Sequence, residues 1–351
     1  MTVSSKRIDV GILGATGAVG QELIALLDGH PWFNLAWLAA SHRSERRRYA
    51  DATQWRLPAS RPENVAEMIV NACAPPGAPN LVFSGLDASV AGDVEANFAA
   101  AGHTVISNAK NHRMESDIPL LVPEINRDHL ELLTKQTTQR GWSGRIVTNP
   151  NCSTIILTMA LAPLLSFGLR AVNVTTLQAI SGAGYPGLAS LDIVGNVIPF
   201  ICGEEEKMEA ETKKVFGSLK NGSVELHGVA VSAHATRVPV INGHTLMISV
   251  GLDRPPATDD LLRKFREFSG PPKVETLPSA PPNPVIYLDQ PERPQPRLDV
   301  DRNRGMTVTV GRLRPCPLLD FKFVALGHNT IRGAAGAAVL NAELMFADGL
   351  F

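Results

Sequence analysis

Cysteine is sparse in this chain and shows no pairing pattern: Cys73, Cys152, Cys202 and Cys316 are spread through 351 residues with no CxxC and no His/Cys spacing suited to zinc. That removes a disulfide framework and any expectation of a metal site, and it favours a reducing cytoplasm. A charge excess of either sign is missing as well. With 33 Lys and Arg against 34 Asp and Glu, the net charge of −1 provides no basic field for nucleic acid or a membrane surface. No apolar stretch approaches the ~18 residues of a membrane-spanning helix. The segment from Met1 to Asp9 runs into a strand pattern without the signature of a signal peptide. What the chain does have is 44% hydrophobic content over a length more typical of two domains than one, enough to bury a large core.

Ile8-Asp9-Val10-Gly11-Ile12-Leu13 reads as a buried parallel strand and residues 18–27 as the helix behind it, with Gly29 as its C-terminal cap. Further strands are expected at 35–40, 81–84 and 104–107, with a helix at 91–100 between the last two. Such alternation implies an α/β fold built on a doubly wound, mostly parallel sheet. From about Ala171 the texture changes. Strand-like runs at 172–180, 228–231, 245–250, 306–313 and 321–326, with helices at 203–216 and 258–268, indicate an α+β second domain around a mixed or antiparallel sheet. The proline-rich stretch 271–296 is expected to be an irregular surface excursion. Residues 330–346 form a helix whose Gly333, Ala334, Ala335 and Gly336 allow close approach to another backbone. No internal repeat is present.

Between the first strand and first helix lies Gly14-Ala15-Thr16-Gly17-Ala18-Val19-Gly20. Glycines at this junction permit a tight turn and let backbone N–H groups approach a pyrophosphate at the helix N-terminus, so the segment predicts a dinucleotide site. Selectivity belongs at the end of the second strand. An acid there would bind a ribose 2′-hydroxyl, whereas Ser41-His42-Arg43-Ser44 offers donors and a cation to a 2′-phosphate, which points to NADP. Read alone, Arg43 is also compatible with a solvated loop charge beside Arg46, Arg47 and Arg48.

A second junction of the same kind is Thr148-Asn149-Pro150-Asn151-Cys152-Ser153, between a strand-like run and a helical pattern over 154–165. A nucleophilic cysteine suits that place, because the helix dipole favours a thiolate and free N–H groups can hold an oxyanion. An ordinary turn with an inert cysteine fits the same residues.

The whole chain resembles aspartate-β-semialdehyde dehydrogenase, in the branch found in archaea and fungi. The resemblance rests on the Gly14 to Gly20 turn, Ser107-Asn108-Ala109-Lys110-Asn111-His112-Arg113, the Cys152 segment, Gln178-Ala179-Ile180-Ser181-Gly182-Ala183-Gly184, Glu204-Glu205-Glu206-Lys207, Arg237-Val238-Pro239-Val240-Ile241-Asn242-Gly243-His244, and Gly327-His328-Asn329-Thr330-Ile331-Arg332-Gly333. It implies reversible, NADP-dependent conversion of β-aspartyl phosphate to aspartate semialdehyde and phosphate through a cysteine thioester, a step in making lysine, threonine, methionine and isoleucine. Cys152 is then the nucleophile, His244 the acid/base and Gln178 the residue that orients the nucleophile and the bound intermediate. Arg237 binds the substrate carboxylate, Glu204 its amine, and Arg113, Asn151 and Lys207 the phosphate. Thr16, Ser84, Gly85, Asn108, Ser181, Gly182 and Asn329 join Gly14, Gly17, Ala18, Val19, Ser41, Arg43 and Ser44 around the cofactor. The resemblance further implies an NADP-binding domain at 1–150 completed by the C-terminal helix 328–351, a catalytic and dimerisation domain at 151–327, and a homodimer or homotetramer with the second domain's sheet as interface. N-acetyl-glutamyl-phosphate reductase, malonyl-CoA reductase and a silent NADP-binding protein with Cys152 as redox sensor are the alternatives. Read without the resemblance, His244 is compatible with a surface histidine and residues 204–214 with a solvated, ion-paired helix face.

Overall fold

The structure is a computed structural model that describes residues 7–351; residues 1–6, part of the stretch read above for a signal peptide, lie outside the described residues. The first sheet contains β1 (Ile8–Leu13), β2 (Phe33–Ala39), β3 (Val70–Asn71), β4 (Leu81–Ser84), β5 (Thr104–Ser107) and β6 (Arg145–Thr148), in the order β3-β2-β1-β4-β5-β6. Every pairing is parallel. All four residues of β4 and of β5 are buried, as expected where helices cover both faces. The strand order reverses between β1 and β4, and a ligand crevice forms beyond the carboxyl ends of strands at such a switch point. The glycine turn after β1 and Gly85 after β4 both stand there.

The second sheet contains β7 (Leu169–Gln178), β10 (Ala230–Arg237), β11 (His244–Leu252), β12 (Val285–Leu288), β13 (Val308–Pro315) and β14 (Phe321–Gly327), ordered β10-β7-β11-β14-β13-β12; β8 (Ser218–Lys220) and β9 (Ser223–Glu225) form a separate hairpin. The outer pairs are parallel and the inner ones antiparallel, so the sheet is mixed. Helices Cys152–Leu161, Glu204–Val215 and Thr258–Glu267 share one core with it, in which Ile156, Met208, Val215 and Phe265 pack with Val174, Ile248 and Phe323. The C-terminal helix Gly336–Ala347 belongs to the other core. Its Ala338, Val339, Leu340 and Leu344 pack with Val10, Ile12 and Phe83 of the first sheet and with Leu23 of the helix Ala18–Leu27.

Four expectations need correction. The run expected at 228–231 becomes β10 over Ala230–Arg237, because its ladder with β7 continues from Ala230↔Ala171 to Arg237↔Gln178 past the apolar residues. The stretch 271–296 is not wholly irregular: Val285–Leu288 pairs with β13 at a sheet edge, where flanking prolines deprive no partner of a hydrogen bond. The helix expected at 154–165 starts at Cys152 and tightens to a 3₁₀ segment over Ala162–Phe167, where Pro163 stands at its start. Likewise 330–346 is not one α-helix; a wide turn, Ile331–Ala335, precedes the α-helical part.

Register builds the site. Arg237 pairs with Gln178, Thr245 with Leu177, and His244 with Gly327, so the carboxyl ends of β7, β10 and β14 and the start of β11 meet at one end of the mixed sheet. That end faces the N-terminus of the Cys152–Leu161 helix.

Candidate active site

Asn151 caps the Cys152–Leu161 helix, its Oδ1 accepting from the Ser153 N–H at 2.9 Å and the Thr154 N–H at 3.2 Å. Capping by the side chain satisfies two orphan donors and fixes Cys152 in the first turn. Its Sγ lies 3.3 Å from Nε2 of His244, a residue 92 positions later in the sequence. On the other side of the ring, Nδ1 accepts the Ala179 N–H at 3.1 Å. That bond keeps Nδ1 unprotonated, so the neutral ring carries its proton on Nε2, toward the sulfur. Burial pushes His244 down to about 3, with Glu204 opposing that shift and Arg237 and His328 adding to it. Burial also pushes the Cys152 thiol up to about 12; Glu204 adds to this, while Arg113 and Arg237 favour the thiolate. The pair therefore rests as a thiol beside a neutral imidazole.

Polar side chains surround the pair. Glu204 accepts from Asn151 Nδ2 at 2.9 Å and Gln178 Nε2 at 3.2 Å, and its other oxygen meets Lys207 Nζ at 3.1 Å. Burial would raise its pKa, but the Lys207 charge and the hydrogen bonds from Asn151, Lys207 and Gln178 outweigh that and hold it below the ordinary carboxylate range. Arg237 is buried and donates Nη1 to the Ala179 carbonyl at 2.7 Å. Gly182 passes so close to this group that an added Cβ would lie 2.8 Å from Arg237 Nη1 and 3.0 Å from His244 Cε1.

A cleft of about 220 Å³ collects nine of the expected residues: Ala18, Val19 and Asn108 with Arg113, Asn151 and Cys152, and Ser181, Gly182 and Asn329. Asn329 ties two loops together, accepting from the Gly243 N–H at 2.9 Å and donating to Ser181 Oγ at 2.8 Å. Asn108 Nδ2 donates to the Ser84 carbonyl at 3.1 Å, and its Oδ1 accepts from Asn149 Nδ2 at 2.8 Å. His244, Gln178, Glu204 and Arg237 stand behind this cleft through the contacts given above.

The glycine turn fits a dinucleotide. Gly14 has φ +79°, and a Cβ on Gly20 would sit 2.3 Å from the Gly14 carbonyl oxygen. Gly17 ends the turn without any side-chain cap, leaving the first N–H groups of the Ala18–Leu27 helix for an anion. The Thr16 carbonyl receives Gln21 Nε2 and Thr53 Oγ1, both at 3.3 Å, so the Thr16 backbone faces inward on this turn. The Gly85 carbonyl abuts Gly14, and Ser84 is fully buried at the end of β4. Ser41 and Arg43 are exposed on the loop after β2 and Ser44 is buried, outside the cleft that holds Cys152. Glu45, next along, contacts His42 at 3.2 Å, an acid that the reading of Ser41 to Ser44 did not weigh.

Sequence reasoning missed Asn149, Glu211, Thr330, Gly333 and Ala334. Gly333 is required by packing, since its Cβ would fall 2.6 Å from Cys152 Cβ. Its signal lay in the small-residue run, which the sequence reading assigned to helix packing alone. Among the described residues, no group of three or more His, Cys, Asp or Glu is placed to hold a metal ion.

Two family models match the chain: the semialdehyde dehydrogenase NAD binding domain over residues 9–133 and the semialdehyde dehydrogenase dimerisation domain over residues 161–332. The aspartate-semialdehyde dehydrogenase of Archaeoglobus fulgidus is 46% identical over 97% of this chain and 99% of its own length. That of Cryptococcus neoformans is 48% identical over 98% of both chains. The crystal structure of the Candida albicans aspartate semialdehyde dehydrogenase with NADP superimposes with a TM-score of 0.91 at 44% identity, covering 99% of this chain and all of that one. With both halves matched and identity near one half over the full length, the chain belongs to the aspartate-semialdehyde dehydrogenase family.

Proposed function

We propose that this chain interconverts β-aspartyl phosphate with aspartate semialdehyde and phosphate, using NADP, through a thioester on Cys152. The observation that carries this reading is Cys152 Sγ at a helix N-terminus, 3.3 Å from a histidine whose proton is held on Nε2. Cys152 Sγ attacks the β-carbonyl carbon, the acyl C–O bond to the phosphate breaks, and phosphate leaves toward Arg113, Asn151 and Lys207, carrying away the thiol proton. NADPH, when bound along the glycine turn, supplies the hydride that reduces the thioester. His244 donates its Nε2 proton to the thiohemiacetal oxygen and takes it back as the C–S bond breaks and the aldehyde departs, leaving a Cys152 thiolate that a solvent proton returns to the thiol. Gln178 holds Glu204, Arg237 receives the substrate carboxylate with its remaining N–H groups, and Glu204 meets the amine by exchanging part of its contact with Lys207.

Relatives at 46 to 48% identity, all named aspartate-semialdehyde dehydrogenase, weigh against malonyl-CoA reductase and N-acetyl-glutamyl-phosphate reductase. Ser41, Arg43 and Ser44 are assigned to the 2′-phosphate. The domains are drawn at 1–150 with 328–351, and at 151–327, a division supported by the C-terminal helix packing into the first core. A homodimer is assigned to the sheet face away from the helices, where Asn173 and Met247 are exposed. Free thiols at all four cysteines support a reducing, cytoplasmic setting, and no helix among the described residues is long and apolar enough to cross a membrane.

The test is phosphate-dependent NADP reduction with aspartate semialdehyde, run beside malonate semialdehyde plus coenzyme A. Turnover should require the first pair, and Cys152→Ala should abolish it while NADP binding persists. Trapping with β-aspartyl phosphate should load Cys152 in mass spectrometry; an adduct on Cys73, Cys202 or Cys316 would refute the assignment.

A further inference from the structure

The helix Glu204–Val215 carries more of the site than Glu204 and Lys207. Glu204, Lys207, Glu211 and Lys214 follow one another at i, i+3, i+7 and i+10, one stripe of an α-helix, and all except Lys207 are buried. Glu211 divides its carboxylate between two parts of the site. Oε1 accepts from Arg113 Nη1 at 2.9 Å and Oε2 from the Asn151 backbone N–H at 2.6 Å. One turn on, Lys214 Nζ donates to the carbonyls of Arg113, Glu115 and Ile118 at 2.7, 2.7 and 2.8 Å, gripping the segment from which Arg113 projects. Arg113 Nη2 is held by the Asn108 carbonyl at 2.7 Å. Each terminal nitrogen thus spends one hydrogen on a fixed acceptor and keeps one for an incoming anion.

We propose that Glu211 is the positioning residue of the phosphate subsite: it fixes the Arg113 guanidinium relative to the Asn151 turn that carries Cys152. The proposal rests on the reading of Arg113 and Asn151 as phosphate-binding residues. Two effects of Glu211 compete. A carboxylate near the subsite repels a phosphate dianion, yet this one faces a guanidinium and an N–H rather than open cleft, so its charge is locally matched. Without it, Arg113 has a free fork to order and the Asn151 N–H lacks an acceptor, both at the cost of anion binding.

Glu211→Gln keeps the volume but replaces one acceptor oxygen with an NH₂ group, so either Arg113 or the Asn151 N–H loses its partner. Steady-state kinetics in the phosphate-dependent direction should show KM for phosphate rising about 10- to 100-fold, the scale of one charge-assisted hydrogen bond, with KM for the semialdehyde nearly unchanged. Glu211→Asp preserves a buried carboxylate but is too short to span both donors, and it should shift the same constant by a smaller factor. In an Arg113→Ala background, where only the Asn151 N–H is left for it to hold, Glu211→Gln should raise the phosphate KM by a smaller factor than in the wild type. A lowered phosphate KM in Glu211→Gln, equal rises in both KM values, or full additivity with Arg113→Ala would overturn the proposal. If Arg113→Ala itself leaves the phosphate KM unchanged, the phosphate-subsite reading fails instead.

Discussion

His244→Asn separates what the ring accepts from what it donates. Asn can place Oδ1 near the Ala179 N–H that Nδ1 now accepts at 3.1 Å, but it brings no donor to the position of Nε2 beside Cys152 Sγ. Loss of that donor should lower kcat about 10²- to 10⁴-fold, the usual scale for a general acid/base. The same substitution has a consequence for stability with a defined sign. An unfolded chain protonates His244 near 6.5, whereas the buried ring is pushed down to about 3. Between those values the unfolded state binds a proton that the folded state refuses. The stabilisation is therefore fully present above pH 6.5 and is lost as pH falls through the window. From about pH 7.5 to about pH 5 the loss from this one group is about 2 kcal/mol. Urea unfolding of wild type and His244→Asn at the two pH values isolates it, because the other titrating groups are common to both proteins. Wild type should lose about 2 kcal/mol more than the variant over that interval. An equal loss in both would show that the ring titrates normally and would refute the neutral resting state of His244 that rests on its burial.

Two further outcomes follow from the cofactor loop and the open sheet face. Arg43→Ala should weaken NADP more than NAD in fluorescence titrations, since only the former carries a 2′-phosphate; equal weakening would leave Arg43 as a solvated loop charge. Met247→Glu places a charge on the exposed face of β11, so sedimentation should show a shift from dimer toward monomer with the fold retained. A variant that sediments as the wild type does would move the interface elsewhere.

The parts of the fold that sequence conveyed were those buried on both sides. Residues 10–13, 81–84 and 104–107 are buried throughout between covering helices, and the bounds of the strands Ile8–Leu13, Leu81–Ser84 and Thr104–Ser107 match the expected ones. Edges were harder to read. β3 has only two residues, β12 lies among prolines, and β10 owes its length to pairing with β7, so each is decided by a neighbour rather than by its own composition. Cys152 was legible because a strand-to-helix junction is a local pattern. Its 3.3 Å approach to His244 was not, since it depends on the register of β11 against β7 and β14.

Glu211 shows why a charged helix misleads. Glu204, Lys207, Glu211 and Lys214 satisfy the i,i+3 and i,i+4 spacing of a solvated, salt-bridged face, and composition alone favours that reading. The distinguishing signal is that Met208 and Val215 share the stripe, so the same face that carries the charges must also enter the core. Charges on such a face are retained only with partners, because an unpaired buried ion is far costlier than an exposed one. Each of the four has found one in the site: Glu204 with Asn151 and Lys207, Glu211 with Arg113, and Lys214 with three carbonyls. Packing thus forces these partners into fixed places, and the helix that anchors the mixed sheet's core also sets the spacing of the groups around Cys152.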